Sequence, residues 1–396
     1  MRNRKEILKD KKILLGITGG VAAYKAVDLT RRLREQGSSV TVIMTEAAKN
    51  FVTPLSLEIA SQNKVYSNLF SEPMSHVKLA TDADVMVIAP ATANIIGKIA
   101  GGIADDLLST TVLAFRGKVI IAPAMNWRMY ENPALQENRR YLLSHGVIQV
   151  GPEKGDLACG EEGVGRMSDI HDIIEAIISS FTKKDLEKEK ILVTAGPTRE
   201  YLDPVRFISN RSSGKMGYAI ARAAFRRGAE VTLISGPSLL GPPKGVNFIS
   251  VQTSADMLDA VNKEINSSTV VIMSAAVSDF MPEEKAKNKI EKSKELFLKL
   301  TQTPDIISEI SKKKNRPFII GFAAETGGGI ERAKKKLKEK NINLIVFNDV
   351  TDPGSGFDVD TNSVIIIDKE REIKIPLMSK EAVADAILDR LIEIKA

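Results

Sequence analysis

Cysteine and histidine are scarce in this sequence. Of its 396 residues one is a cysteine, Cys159, and three are histidines, His76, His145 and His171. A lone cysteine cannot form an internal disulfide, and it excludes a cysteine-rich zinc site as well. Because no two histidines stand at helical ligand spacing, we expect no histidine-based transition-metal site. The sequence predicts a reducing, cytoplasmic environment, in which any metal is a hard ion such as Mg²⁺ held by carboxylates and phosphates.

Long apolar runs and aromatic residues are also few. No stretch offers the ~18 uninterrupted apolar residues of a membrane-spanning helix, since the nearest candidate, 85–104, is broken by Pro90, Asn94 and Lys98. The charged N-terminus, MRNRKEILKDKK, has no apolar core of the signal-peptide type. The net charge is +6, but basic residues alternate with acidic ones and aromatic residues make up 5% of the chain. We therefore expect neither a membrane nor a nucleic acid as partner.

The sequence does contain one structural plan twice. Residues 11–44 read as strand, glycine-rich turn, helix and strand, and residues 190–235 repeat that order. In each half an apolar run of β type follows and opens into a loop of small residues, at 84–94 and at 269–280. Apolar strands that alternate with helices are typical of parallel sheets buried on both faces.

The length of the chain and the charged stretch FTKKDLEKEK indicate the domain organisation. At 396 residues the chain exceeds what one hydrophobic core usually serves. The charged stretch separates the last helix of the first repeat from the first strand of the second. The sequence thus predicts two doubly wound, three-layer α/β domains, 1–185 and 186–396. Ligands should bind at the carboxyl ends of the parallel strands, where the small-residue loops lie.

Neither glycine cluster matches a known nucleotide fingerprint. Gly16, Gly19 and Gly20 lack the G-x-G-x-x-G spacing, and no acidic residue ends the second strand to hold an NAD ribose. This favours a mononucleotide, such as a flavin phosphate, at a helix N-terminus. In the second half SSGKMG is similar to a Walker A loop, but Ser209 stands where a glycine is needed and Met216 follows the lysine. We therefore reject a P-loop ATPase.

Longer strings carry a family resemblance. TGGVAAYK, SHVKLA, APATANIIGKIAGGIADDLLS, APAMNWRMYENP and ACGEEGVGRM resemble the flavin-dependent phosphopantothenoylcysteine decarboxylases. TAGPTREYLDPVRFISNRSSGKMG, SAAVSDF, GFAAET and the lysines before Asn341 resemble the phosphopantothenate-cysteine ligases. From about residue 12 to 390 the chain therefore resembles the bifunctional bacterial coenzyme A biosynthesis enzymes. The resemblance implies a flavoprotein-like first domain and a Rossmann-like second domain.

For the first domain the resemblance implies an FMN-dependent decarboxylase that converts 4'-phosphopantothenoylcysteine to 4'-phosphopantetheine. In this family FMN oxidises the substrate thiol, carbon dioxide leaves while the electrons of the broken bond pass to the thiocarbonyl, and the same flavin reduces the resulting enethiolate. His76 would act near the substrate during oxidation and decarboxylation, Asn126 would grip the departing carboxylate, and Cys159 would donate the final proton. The FMN contacts expected from the resemblance are Thr18, Gly19, Thr45, Thr92, Asn94 and Ser109.

For the second domain the resemblance implies acyl activation by CTP. 4'-Phosphopantothenate attacks the α-phosphate, pyrophosphate leaves, and the amine of cysteine attacks the acyl-cytidylate. Asn210 matches the residue that helps turn over this intermediate, and Asp279 is the candidate Mg²⁺ ligand. Asn343 departs from the aspartate common in the family, at a strand position where we expect packing to matter more than chemistry. The CTP contacts expected from the resemblance are Ala275, Asp279, Lys289, Pro304, Asp305, Ile306, Phe322, Lys336 and Lys340.

Three other interpretations stay open at this point. A flavin prenyltransferase would share the fold and FMN site of the first domain, but it would need neither Asn126 with Cys159 nor a second nucleotide domain. A non-catalytic regulatory protein on the same fold would not need His76, Asn126 and Cys159 intact. The missing dinucleotide fingerprint argues against an NAD-dependent oxidoreductase. The resemblance further implies a homo-oligomer, with trimeric decarboxylase domains that complete each other's flavin sites and dimeric ligase domains.

Overall fold

The computed structural model of the protein describes residues 7–156, 160–292, 295–326, 329–349 and 351–396. The chain divides into two compact units, one that ends at Thr182 and one that spans Lys183–Ala396. Each unit buries its own apolar clusters. Across the described residues, none of the helices combines the length and apolar character that crossing a membrane requires.

Apolar runs rich in isoleucine and valine form the parallel sheet of the first unit. Its strands are β1 (Lys12–Ile17), β2 (Ser39–Met44), β3 (Val65–Tyr66), β4 (Val85–Ala91), β5 (Lys118–Pro123) and β6 (Ile148–Gln149). In the described residues they follow the order β3-β2-β1-β4-β5-β6, and every neighbouring pair is parallel. The strand order reverses between β1 and β4, so a crevice is expected outside their carboxyl ends.

Helices cover both faces of this sheet. They are α1 (Lys25–Glu35), α2 (Pro54–Ser61), α3 (Ser75–Asp82), α4 (Ala93–Ala100), α5 (Leu107–Ala114), α6 (Trp127–Tyr130), α7 (Pro133–Ser144) and α8 (Ile170–Phe181), with 3-10 turns at Val21–Tyr24 and Glu46–Asn50. Successive residues of β1 point to opposite faces. Ile13 and Leu15 join the apolar cluster of α1 and α8, whereas Leu14 joins that of α4 and α5. The predicted three-layer, doubly wound arrangement is confirmed.

A small antiparallel hairpin of β7 (Glu153–Asp156) and β8 (Glu162–Arg166) follows β6 and lies outside the main sheet. The sequence places the predicted proton donor, Cys159, between its two strands. Residues 157–159 lie outside the part of the chain that the structure describes.

The second unit repeats the doubly wound plan and extends it. Its strands are β9 (Lys190–Ala195), β10 (Arg199–Tyr201), β11 (Phe207–Ser209), β12 (Glu230–Ser235), β13 (Asn247–Ser250), β14 (Val270–Met273), β15 (Phe280–Pro282), β16 (Leu300–Gln302), β17 (Phe318–Glu325), β18 (Leu344–Asp349), β19 (Thr361–Asp368) and β20 (Glu372–Ser379). The main sheet runs β13-β12-β9-β14-β17-β18-β19-β20. Its pairs are parallel up to β18, and β19 and β20 add antiparallel pairs that the sequence analysis did not anticipate.

The helices of this unit pack on both faces of its sheet. They are α9 (Lys215–Arg226), α10 (Ser254–Glu264), α11 (Ile306–Ser311), α12 (Ile330–Glu339) and α13 (Lys380–Lys395), with a 3-10 turn at Ile265–Ser267. Helices α9 and α13 share one apolar cluster, and α10, α11 and α12 share the other. The strand order reverses between β9 and β14, which places a second crevice at their carboxyl ends.

The charged stretch after Thr182 packs against the second unit. The guanidinium of Arg227 lies 2.8 Å from Asp185 through Nε and 2.7 Å from Asp389 through Nη1. The backbone carbonyl of Arg227 accepts a hydrogen bond from the amide of Leu186, whose side chain is buried. Only 8% of the Arg227 side chain is exposed. These contacts attach the segment to the end of α9 and to α13.

We predict that Arg227→Ala destabilises the second unit by about 2 kcal/mol, because it removes the charged hydrogen bonds that a largely buried guanidinium makes to two partly exposed carboxylates. Urea unfolding of the full chain, followed by circular dichroism, measures the loss. A matched control is Lys190→Ala, which breaks an exposed ion pair with Glu230 and should cost less than about 1 kcal/mol. Equal losses in the two variants would contradict the anchoring role of Arg227.

Candidate active sites

The carboxyl edge of the first sheet borders a cavity of ≈910 Å³. This volume falls in the range of about 300–1,000 Å³ that is usual for small-molecule sites. The predicted residues among its lining are Thr18, Gly19, Thr45, Thr92, Asn94 and Asn126. The cavity thus brings together residues from the loops that follow β1, β2, β4 and β5.

Two close contacts hold these loops together. The buried hydroxyl of Thr18 donates to the Pro90 carbonyl at 2.8 Å and accepts from the Thr92 amide at 3.1 Å, which joins the loops after β1 and β4. A β-carbon at Gly19 would lie 2.4 Å from the β-carbon of Ala47. Only glycine therefore fits where the loops after β1 and β2 meet.

Two predicted residues that the structure describes, Ser109 and His76, are not among those that line this cavity. Ser109 is buried, and its hydroxyl accepts from the Asp106 amide in a capping box at the start of α5. His76 is half-buried as the second residue of α3, away from the cavity lining. Cys159 belongs to the undescribed residues 157–159. The structure therefore assigns Ser109 a capping contact and leaves His76 outside the cavity of its own chain.

Asn126 lies at the cavity as the N-terminal cap of α6. Its side-chain oxygen accepts a hydrogen bond from the Arg128 amide at 2.8 Å. This bond assigns the oxygen of the amide group to the helix end, because a backbone N–H can only donate. The side-chain nitrogen is then the group of Asn126 that carries protons to donate.

A charged group in the first cavity was missed by sequence reasoning. The ammonium of Lys98 lies 2.7 Å from Asp105 and 2.8 Å from Asp106, and both Lys98 and Asp106 line the cavity. Burial works against both charges, but their mutual contacts outweigh it, so the pKa of Lys98 is raised and that of Asp106 is lowered. The pair bridges the end of α4 and the start of α5. The spacing of residues along a single helix does not predict this ion pair, because its members lie at the ends of different helices.

The second crevice is a cavity of ≈650 Å³. The predicted residues that line it are Asn210, Ala275, Asp279, Pro304, Asp305, Ile306, Phe322, Lys336 and Lys340. Lys289 is exposed in the segment between β15 and β16 and is not among the lining residues. Asn343 is also absent from the lining, and its side-chain oxygen accepts from the Ile319 amide at 2.9 Å. That contact fits the packing role expected for Asn343.

The two predicted lysines of this cavity are both paired with carboxylates. Lys336 lies 2.8 Å from Glu325, and Lys340 lies 3.1 Å from Asp305. Asp305 also caps α11 by accepting from the Ser308 amide. Burial opposes the charge of Asp305, but its bonds with Ser308 and Lys340 outweigh burial and lower its pKa. A carboxylate at neutral pH therefore holds Lys340 in place.

An acidic turn pairs with further cations of the second cavity. Arg211 lies 2.5 Å from Asp358, and Lys215 lies 2.7 Å from Asp360. Lys380, the first residue of α13, is 6% exposed and donates to the carbonyls of Gly356, Phe357 and Val359, at 2.9, 3.2 and 2.7 Å. Sequence reasoning missed this group because the turn lies more than 130 residues after Arg211.

The donor set for a metal in the second cavity is small. Asp279 is exposed at its edge. Within the described parts of the chain, no cluster of three or more histidine, cysteine, aspartate and glutamate side chains could hold a metal ion. Mg²⁺ bound with a nucleotide commonly takes one or two protein carboxylates together with phosphates and water. Such a site needs no cluster of that kind.

Comparison with known proteins identifies the two halves. Residues 1–182 match the sequence profile of the flavoprotein family, and residues 186–394 match that of the DNA/pantothenate metabolism flavoprotein C-terminal domain. The chain is thus a flavoprotein domain joined to a pantothenate-metabolism domain.

Relatives match this chain over nearly its whole length. The coenzyme A biosynthesis bifunctional protein CoaBC of Vibrio cholerae is 46% identical, over 96% of this chain and 98% of the relative. CoaBC of Bacillus subtilis is 45% identical, over 97% of each. A crystal structure of the C-terminal domain of CoaBC is 42% identical and covers 54% of this chain and 98% of that one, with a TM-score of 0.47. The chain belongs to the family of bifunctional coenzyme A biosynthesis proteins, which are enzymes of small-molecule metabolism.

We predict that Lys380 makes the stability of the second unit depend on pH. Burial, reinforced by the charge of Lys215, lowers the pKa of Lys380 from 10.5 to about 8, although Asp360 and Asp358 oppose the shift. Between pH 8 and 10.5 the unfolded chain binds a proton that the folded chain does not, so the stability contributed by this residue rises with pH. The free energy of unfolding of the wild type relative to Lys380→Met should therefore be higher at pH 9.5 than at pH 7.5.

Urea unfolding at the two pH values measures this difference. Lys374→Met, which removes an exposed lysine of β20, corrects for the loss of a positive charge in general. A difference between wild type and Lys380→Met that stays constant or falls as pH rises would contradict the prediction.

Proposed function

We propose that the second domain ligates cysteine to 4'-phosphopantothenate with CTP, and that the first domain decarboxylates the product to 4'-phosphopantetheine with FMN. The observation that carries this proposal is the convergence of two residue sets at two switch-point cavities. Asn126 lies in the first cavity with five of the six expected flavin contacts, and Asn210 lies in the second with Lys336 and Lys340. A flavin prenyltransferase would give no reason for the second set.

The volume of the first cavity and the hydrogen-bond donors of its lining support FMN as its ligand. The loops after β1, β2 and β4 would hold the cofactor, and the N-terminus of α4, which begins at the lining residue Ala93, offers backbone N–H groups to a phosphate. Bound FMN would supply the two-electron oxidation of the substrate thiol and the later two-electron reduction that converts the decarboxylated intermediate to the product. Lys98 and Asp106 would add a fixed ion pair to a lining that also contains Lys25 and Arg166.

The protein residues then have three separate tasks. The side-chain nitrogen of Asn126 would donate to the substrate carboxylate and hold it until carbon dioxide leaves. Cys159 would deliver a proton to the product carbon in the last step, which a thiol with a pKa of about 8.5 does far better than a hydroxyl. His76 would orient the substrate near its reacting thiol.

We propose that a second copy of the first domain brings His76 to the cavity. His76 does not line the cavity of its own chain, and apolar side chains beside it are exposed: Phe70 by 90%, Met74 by 64% and Val77 by 39%. Apolar groups in such a cluster are commonly buried by a partner. Trimeric first domains would bury them and complete each flavin site.

The second domain also has a predicted site residue outside its cavity and beside an exposed apolar side chain, in the segment between β15 and β16. Lys289 is exposed away from the cavity, and Phe297, in the same segment, is 90% exposed. We propose dimeric second domains in which Lys289 reaches the nucleotide of the partner.

Cytoplasmic localisation stays a prediction from the sequence.

In the ligase reaction the lysines of the second cavity would exchange their partners. Lys336 and Lys340 are held by Glu325 and Asp305 while no anion is near, and the triphosphate of CTP would replace these carboxylates as the partner. Asp279 with Mg²⁺ would neutralise further charge on the phosphates and on the leaving pyrophosphate. Asn210 would donate to the oxyanion that forms when the amine of cysteine attacks the acyl-cytidylate.

We predict that Asn126→Asp abolishes decarboxylation and leaves ligation intact. Aspartate caps a helix as well as asparagine does, so α6 should keep its start. The new carboxylate would, however, replace the donor and repel the substrate carboxylate, by several kcal/mol at an effective dielectric constant of ~20. The full chain is incubated with FMN, CTP, Mg²⁺, cysteine and 4'-phosphopantothenate, and products are quantified by mass spectrometry.

The wild type should yield 4'-phosphopantetheine, and the variant should accumulate 4'-phosphopantothenoylcysteine. Absence of both products from the wild type would overturn the proposed function. Equal loss of both activities in the variant would indicate misfolding and would refute the specific role of Asn126.

A further prediction separates the two half-reactions of the ligase. The double variant Lys336→Gln, Lys340→Gln removes two charges meant for the triphosphate, so it should raise the CTP requirement and block formation of the acyl-cytidylate. Asn210→Asp keeps those charges but places an anion beside the oxyanion, so the acyl-cytidylate should form and persist. Mass spectrometry of quenched reactions decides between them. These roles would be refuted if the lysine variant formed the acyl-cytidylate as readily as the wild type, or if no acyl-cytidylate were detected with Asn210→Asp.

A further inference from the structure

Glu161 joins the hairpin of β7 and β8 to helix α6, which follows Asn126. One oxygen of Glu161 accepts a hydrogen bond from the indole Nε1 of Trp127 at 2.7 Å, and the other lies 2.8 Å from Nη2 of Arg128. The guanidinium of Arg128 also lies over the Trp127 ring, 5.3 Å from its centroid. A single carboxylate thus holds two consecutive residues of α6.

The two bonds of Glu161 differ in what they contribute. The side chain of Arg128 is 69% exposed and that of Glu161 39%, so their ion pair alone adds little stability. The indole of Trp127 has a single donor, which points at a charged acceptor, and such a bond is both stronger and more directional than a neutral one. The arrangement therefore fixes a position more than it stabilises the fold.

Two glycines of β8 show how closely the hairpin approaches this segment. A β-carbon at Gly163 would lie 2.6 Å from the β-carbon of Trp127, and one at Gly165 would lie 2.1 Å from the carbonyl oxygen of Met125. The Met125 amide donates to the Gly165 carbonyl at 2.9 Å. Backbone contact sets the position of β8, and Glu161 adds a side-chain contact at its start.

The hairpin and the Asn126 segment form adjoining walls of the first cavity. Asp156, Gly165 and Arg166 line it from the hairpin, and Asn126 lines it from the start of α6. In the sequence Glu161 follows Cys159 by two residues. The bonds of Glu161 therefore connect the segment that carries the proposed proton donor with the residue proposed to grip the carboxylate.

We propose that Glu161 is a positioning residue for decarboxylation, which keeps the hairpin in register with Asn126 through Trp127 and Arg128. This role rests on the proposed function of the first domain. The grip on the carboxylate and the delivery of the proton act on neighbouring carbons of one substrate, so their sources must keep a fixed separation. A displacement of about 1 Å can lower a rate on the order of 100-fold.

The test uses the full chain with FMN bound and compares Glu161→Ala and Glu161→Gln with the wild type. Glu162→Gln is the matched control, because Glu162 belongs to the same hairpin and pairs with Lys154 at 3.4 Å rather than with α6. Trp127 is the only tryptophan of the chain, so its fluorescence reports this contact without reference to activity. The amount of FMN bound verifies that the first domain of each variant is folded, and the ligase activity of the same chain verifies the second.

Glu161→Ala should increase acrylamide quenching of Trp127 and lower kcat of decarboxylation about 10- to 100-fold, with little change in KM. Glu161→Gln should fall between it and the wild type, because its amide oxygen still accepts from the indole but no longer pairs with Arg128. Gly163→Ala, which displaces Trp127 while Glu161 is kept, should reproduce the effects of Glu161→Ala. Glu162→Gln should behave as the wild type.

Unchanged kcat in Glu161→Ala overturns the positioning role, whether or not the quenching of Trp127 changes. A rise in KM alone does so too, since it would assign Glu161 to substrate binding. If the wild-type chain does not decarboxylate the substrate, the proposed function itself is wrong. The fluorescence of Trp127 in the variants still tests the contact with Glu161 in that case, so the two failures can be told apart.

Discussion

Both sites depend on one constraint. The connections that leave two adjacent parallel strands run to opposite faces of the sheet. β1 continues into the helix layer of α1, and β4 into that of α4 and α5 on the opposite face, so the loops at their carboxyl ends separate. β9 and β14 do the same in the second unit, towards α9 and α11. A crevice at this point is the consequence of burying both faces of a parallel sheet, whatever ligand it later holds.

The two units secure this crevice with the same hydrogen bond. The hydroxyl of Thr18, directly after β1, accepts from the Thr92 amide, and that of Thr194, near the end of β9, accepts from the Ala275 amide at 3.2 Å. In each case a buried threonine links the first strand's end with the loop after the neighbouring strand. A buried backbone amide without a partner would destabilise these loops. The two halves of the chain therefore share not only the order of strands and helices but also a threonine that makes the same hydrogen bond.

Sequence patterns predicted the elements that depend on local periodicity and on short motifs. The parallel strands, their helices and the loops that carry Asn126 and Asn210 all follow from runs of fewer than about twenty residues. Contacts made across turns and loops were not predicted, because their geometry depends on how those loops close. The Lys98–Asp106 pair, the acidic turn at Asp358 and the antiparallel strands β19 and β20 are of this kind. The capping contact of Ser109 is local, and it was not predicted because its motif also matches a ligand loop.

The two central asparagines show how a backbone contact selects the chemistry of a side chain. Asn126 gives its oxygen to the Arg128 amide, so a cap fixes which end of the amide group can meet a ligand. Asn210 instead donates its nitrogen to the Val277 carbonyl at 2.9 Å, which holds the side chain while a second N–H on the same nitrogen can still donate. An aspartate could replace the first contact but not the second, because it has no proton to donate at neutral pH. The same substitution is therefore structurally mild at the first site and removes a tether at the second.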